Sequence, residues 1–140
     1  MKKLGTWLYI SRSTLDRDDE AVAVAAIVSV SRARNVELEV TGALAFACGA
    51  FAQYLEGPAA SVEALRACIM RDPRHEDILT VGASAVRQRL FADWSLAYSG
   101  KASYFGRVLE RVRQDQPHHP YQSAQELTRM LRELANARDV

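Results

Sequence analysis

TWLYIS, residues 6–11, is rich in aromatic and branched residues, which predicts a first strand with Leu8 and Ile10 on one face and Trp7, Tyr9 and Ser11 on the other. The spacing then turns helical through EAVAVAAIVSVSRARN, where Val22, Ala25, Ala26, Ser29, Val30 and Ala33 trace an i, i+3, i+4 stripe, Asp18 or Asp19 can cap the start and Asn35 the end. VTGALAFACGAFAQYLEG, residues 40–57, holds two alternating segments around Cys48 and Gly49, the pattern of a tight antiparallel hairpin that Gly57 and Pro58 close. A second helix is expected over SVEALRACIMRD, with Ser61 as N-cap, Val62, Leu65, Cys68 and Ile69 at helical spacing, and a stop where Asp72 meets Pro73. DILTVGASAVRQRLF and DWSLAYS read as two further strands.

Past residue 99 the pattern is helical only. Tyr104, Phe105, Val108, Leu109 and Val112 form one stripe, and Leu127, Met130, Leu131 and Leu134 another, separated by the Pro-bounded connector QPHHPYQ. Ser123 and Glu126 have the spacing of a capping box. The order strand, helix, strand, strand, helix, strand, strand implies an α+β fold, a ferredoxin-like sandwich whose five-stranded mixed sheet carries two helices on one face. The division expected is a domain over 1–98 and a two-helix extension over 99–140.

Bulk properties narrow the function classes. A chain of 140 residues buries roughly 68% of its unfolded surface, enough for one core and a small cofactor. Eighteen basic and seventeen acidic residues give a net charge of +1, which disfavours direct nucleic-acid binding. Cys48 and Cys68 have neither CxxC spacing nor a nearby histidine, so no metal site is expected. The first residues lack a cleavage site and no apolar run reaches about 18 residues, so a cytoplasmic protein without a membrane span is expected.

The chemistry gathers on misplaced polar groups. Phe51, Gln53 and Leu55 share one strand face, and an amide there costs about 1–3 kcal/mol if unpaired. Its one acceptor and two donors suit a partner edge carrying carbonyl and ring-nitrogen acceptors, as heteroaromatic ligands do. Tyr9 brings a phenol to a central-looking strand, and a Tyr9–Gln53 hydrogen bond would satisfy both. Asn35 could cap its helix or reach a ligand between the helices.

YISRS, then SRARN-x5-TG, then G-x-F-x-Q-x-L-E-G, then D-P-R-H, then R-x-F-x-x-W-S resembles, in order and spacing, the BLUF family of blue-light sensors that bind FAD. The resemblance spans residues 4 to about 98. It implies a flavin ring held without a covalent bond between the two helices, edge-on to Tyr9, Gln53 and Asn35. Arg34, Ile27, Leu44, Phe51 and Ile69, with Arg71, Asp72 and His75 near the turn after the second helix, would complete the cofactor site. By similarity, light moves an electron and a proton from Tyr9 to flavin, both return, and Gln53 is left rotated or tautomerised. Trp94 would join the photoactive group, and Leu96 with Trp94 would relay the signal.

The chain departs from that family at several positions. Arg34 stands where Asn or His is frequent, Cys68 where a basic residue commonly faces the phosphates, and Leu96 where Met usually follows Trp-Ser. Ala45, Ala47, Ala50 and Ala52 replace larger apolar groups. The resemblance implies a photoreceptor, not an enzyme, that passes its signal through the C-terminal helices to a downstream signalling protein or a homo-oligomer. The alternative is a non-photoactive BLUF-like interaction module with weak flavin binding.

Overall fold

A computed structural model describes residues 3–94, 96–99 and 105–137. The expectations for Ser95 and Tyr104 lie outside the described residues. Elements follow in the order β1 (Leu4–Ser13), α1 (Glu20–Leu38), β2 (Thr41–Ala47), β3 (Ala50–Gly57), α2 (Ala59–Met70), β4 (His75–Val86), β5 (Ala97–Ser99), α3 (Phe105–Asp115) and α4 (Pro120–Ala137). Four full strands form an antiparallel sheet in the order β4-β1-β3-β2, the split-βαβ topology. The hairpin turns at Cys48 and Gly49, whose φ values of 53° and 73° are those of the two-residue turn that matches strand twist.

A five-stranded mixed sheet was expected, and the structure corrects this to four full strands with a short fifth segment at the edge. β5 contributes only three residues, paired parallel to the outer edge of β2 at Ala43–Ala45. Residues 87–94 are irregular because other groups take their backbone hydrogens and carbonyls. The N–H groups of Leu90 and Phe91 donate to the Glu56 carboxyl, and Gly42 N–H donates to the Trp94 carbonyl. Glu56, fully buried on β3, also accepts from Thr41 Oγ1, so the TG and LEG segments clamp the loop that leads to β5.

The sheet buries both faces. On one, Leu8, Ile10, Ala43, Ala52 and Tyr54 meet Phe105, Leu109 and Val112 of α3 and Leu127, Met130 and Leu131 of α4. On the other, Trp7, Tyr9 and Leu55 meet Val62 and Leu65 of α2, while Leu44, Phe46, Phe51 and Leu96 meet Val24 and Val28 of α1. The alternation read in β1 and β3 therefore sorts side chains between two helical layers. Among the described residues no helix is long and apolar enough to cross a membrane, and no three His, Cys, Asp or Glu residues converge as a metal site.

Helix details differ from the sequence expectations. α1 buries Val24, Val28, Ser31 and Asn35, whereas the stripe read from Val22 to Ala33 faces solvent. The helix runs three residues past Asn35 and ends at Glu39 in the left-handed region, whose N–H returns to the Asn35 and Val36 carbonyls. α2 starts behind Pro58 rather than at Ser61, and Ser123 lies inside α4, buried, instead of capping it. α2 approaches β1 and β3 closely while α1 stands farther off, which opens a cleft between the two helices above the sheet.

Candidate functional site

That cleft, partly open to solvent, spans about 690 Å³ of empty space with its open mouth included. Its floor is Tyr9, Leu44, Phe51 and Gln53; α1 lends Ile27, Val30, Ser31 and Arg34, and α2 with the following turn lends Cys68, Ile69, Asp72, Arg74 and His75. Register makes the floor. β3 lies between β1 and β2, so Gln53 stands directly opposite Tyr9 on one side and Leu44 on the other.

Tyr9 Oη donates to Gln53 Oε1 at 2.6 Å, with the two residues 4% and 5% exposed. This bond satisfies both anomalies of the sequence. Burial pushes the Tyr9 phenol well above its ordinary pKa, the Asp72 carboxylate adds to the rise, and the Arg34 guanidinium opposes it. The phenol thus keeps its proton and remains a donor to the amide.

His75 braces the cleft. Its Nε2–H donates to the Ile69 carbonyl at 2.7 Å, Nδ1 shares a 2.7 Å bond with Ser11 Oγ, and its ring meets those of Tyr9 and Phe51 edge-on. Arg74 donates from both Nε and Nη2 to Asp72, whose carboxyl that bond holds below the usual carboxylate range. Arg74, part of the D-P-R-H motif but not among the expected cofactor residues, lines the cleft, whereas the expected Arg71 does not. Asn35 is 1% exposed one residue beyond Arg34, and it too is absent from the cleft wall.

Trp94 and Leu96 separate. Leu96 is 1% exposed on the cleft side, against Val24, Val28, Leu44 and Phe51, and its carbonyl accepts from Arg32 Nε of α1 at 3.0 Å. Trp94 packs against the cluster on the α3–α4 side and does not line the cleft. The irregular loop, pinned by Glu56, thus places Trp94 in the core on the other face of the sheet, apart from the Tyr9–Gln53 pair with which the resemblance grouped it.

Residues 4–97 match the family model described as sensors of blue light using FAD. The chain belongs to the BLUF family. It is 37% identical over 94 residues to the photoactivated adenylate cyclase subunit beta of Euglena longa, an alignment covering 66% of this chain and 11% of that protein. It is 42% identical over 64 residues to the blue light- and temperature-regulated antirepressor BluF of Escherichia coli K12, covering 45% of this chain and 16% of the relative. The chain thus matches a small part of these relatives' length. Among solved structures, the dark state of the BLUF protein BlrB superposes with a TM-score of 0.78 at 29% identity, covering 95% of this chain and 98% of that one.

The BLUF cofactor is FAD, and the cleft fits its ring on grounds of its own. The Nε of Arg34 is buried with no hydrogen-bond partner among the described residues, a donor held where a ligand acceptor would complete it. Apolar walls from Ile27, Leu44, Phe51 and Ile69 beside a few convergent polar groups are what a planar heteroaromatic ring requires.

Proposed function

We propose that this protein senses blue light through the Tyr9–Gln53 pair and passes the signal through β5 and the C-terminal helices to a partner. The observation that carries this reading is the buried 2.6 Å bond from Tyr9 Oη to Gln53 Oε1 at the floor of the cleft. With Oε1 engaged by the phenol, the Nε2 hydrogens of Gln53 are the donors available to a flavin's acceptor edge. Bound there, FAD supplies an excited state that takes one electron.

Tyr9 then gives up an electron, and its phenolic proton leaves along the bond to Gln53. Their return leaves the amide turned or tautomerised, with Tyr9 facing the opposite hydrogen-bond sense. Arg34 supplies its unpaired N–H to the ring or its tail, Asp72 and Arg74 border the mouth, and Ile27 and Ile69 exclude water from the faces.

A change at Gln53 meets Leu44 on β2, and β2 carries both β5 and, through Gly42, the Trp94 carbonyl. Leu96 touches Leu44 and is tied to α1 through Arg32, so α1, β2 and the segment entering β5 share one junction. The signal leaves through α3 and α4, which cover the opposite face. Output is a differential affinity for a downstream protein or a second copy, and about 1–3 kcal/mol of coupling is ordinary for such switches.

The test is an absorption spectrum of the FAD-loaded protein in darkness and after blue light, alongside Tyr9→Phe. The wild type is expected to show a reversible red shift and Tyr9→Phe to bind flavin without it. A normal shift in Tyr9→Phe would remove the phenol from the mechanism.

A further inference from the structure

Beneath the Tyr9–Gln53 pair lies a second oxidisable ring. Trp7 is fully buried two residues before Tyr9 on the same strand face, and its ring stacks on that of Tyr9 at 4.4 Å between centroids and 25° between planes. The indole N–H donates to Thr80 Oγ1 at 3.0 Å, which fixes the ring. The guanidinium carbon of Arg66, half-buried on α2, lies 5.2 Å from the Trp7 ring centroid.

We infer that Trp7 competes with Tyr9 for the electron vacancy created by light, and that Arg66 holds the vacancy on Tyr9. This rests on the flavin reading above, whose excited ring is the one-electron oxidant. Two stacked rings in van der Waals contact exchange an electron readily. When Tyr9 has lost an electron and still holds its proton, one electron from the Trp7 indole refills it, leaving the phenol neutral and the indole a radical cation. No proton moves: the phenolic hydrogen stays on Tyr9 Oη, donated to Gln53, and the indole hydrogen stays on Trp7 Nε1, donated to Thr80.

The competition matters because the two sites have different consequences. A vacancy on Tyr9 makes its phenol strongly acidic toward Gln53, so the amide switches. A vacancy on Trp7 leaves the phenol an ordinary weak acid, and the electron returns with nothing changed. A positive charge 5.2 Å from the indole disfavours a cation there, whereas the charges that act on the Tyr9 phenol are those of Asp72 and Arg34. At the effective dielectric of a half-buried site, this weights the two positions by about tenfold. The cation that normally stabilises a neutral ring here guards the photochemistry of its neighbour.

The experiment compares wild type, Arg66→Met, Arg66→Lys and the double variant Arg66→Met/Trp7→Phe in two settings. In flavin-loaded protein, laser-flash absorption follows indole and phenoxyl radicals together with the yield of the red shift. Arg66→Met should show an indole cation and a reduced yield. Arg66→Lys should behave as wild type, and the double variant should regain the yield.

In flavin-free protein with Trp94→Phe, which leaves Trp7 as its one tryptophan, azide radicals made by pulse radiolysis supply the oxidant. The indole fraction should rise by about tenfold on Arg66→Met. This second setting decides the inference even if no flavin were bound, so its failure is distinct from failure of the photoreceptor reading. An indole fraction that does not change on loss of the charge, or a double variant that stays at reduced yield, overturns it.

Discussion

Replacing Glu56 by alanine removes the acceptor that organises the approach to β5, and the structure sets the size of the effect. The carboxyl takes the Leu90 N–H at 2.7 Å and the Phe91 N–H and Thr41 hydroxyl at 2.8 Å each, in a residue with no exposed surface. Leu90 is 39% exposed and its N–H can turn to water, whereas Phe91 is 2% exposed and its N–H cannot. One fully stranded backbone donor costs about 1–3 kcal/mol, and the lost packing with the second donor brings the sum to about 3–4 kcal/mol. That is a large share of the roughly 5–15 kcal/mol that holds a domain folded. Urea unfolding should therefore show a midpoint lowered by about 1.5–2 M at unchanged slope. Glu56→Gln keeps the shape and one acceptor oxygen, and should lose less than half as much. A Glu56→Ala midpoint within about 0.3 M of wild type would refute the clamp, because the slope for this size then allows less than about 1 kcal/mol.

Three further outcomes follow from the site. Gln53→Leu strands the Tyr9 hydroxyl, so it should lower stability by about 1–2 kcal/mol, retain flavin and lose the light-induced shift; full photocycling would discredit the amide. Arg34→Met should weaken flavin binding by at least about tenfold in a fluorescence titration, the value of one charge-assisted hydrogen bond, and unchanged affinity would remove Arg34 from the site. Arg74 holds the Asp72 carboxyl below its ordinary range. Asp72 therefore contributes stability that is present above the ordinary carboxylate value and fades as pH falls through the lowered one. Asp72→Asn should flatten the decline of the urea midpoint below about pH 4, and identical slopes in both proteins would contradict that contribution.

The strands and the polar pair were legible because short runs of aromatic and branched residues between turn signals read as strands, and a lone amide stands out among them. In TWLYIS and GAFAQYLEG the aromatic and branched residues mark strands buried on both faces, and the one amide on an apolar face pointed to its phenol partner across the sheet. α1 had no such contrast. EAVAVAAIVSVSRARN is small or apolar nearly all round, so the stripe read from Val22 to Ala33 was out of phase with the one that Val24, Val28, Ser31 and Asn35 bury. The course of residues 87–94 was not legible at all, since a side chain from a distant strand decides it. Glu56 is thirty-four residues from Leu90 in the chain, and only the folded sheet brings the two together.

The most direct measurement is infrared difference spectroscopy of the FAD-loaded protein under blue light, with Gln53 isotope-labelled at its side-chain amide. The account predicts amide bands that shift on illumination, return in the dark and vanish in Tyr9→Phe. A reversible flavin red shift accompanied by no change in the labelled Gln53 bands would contradict it.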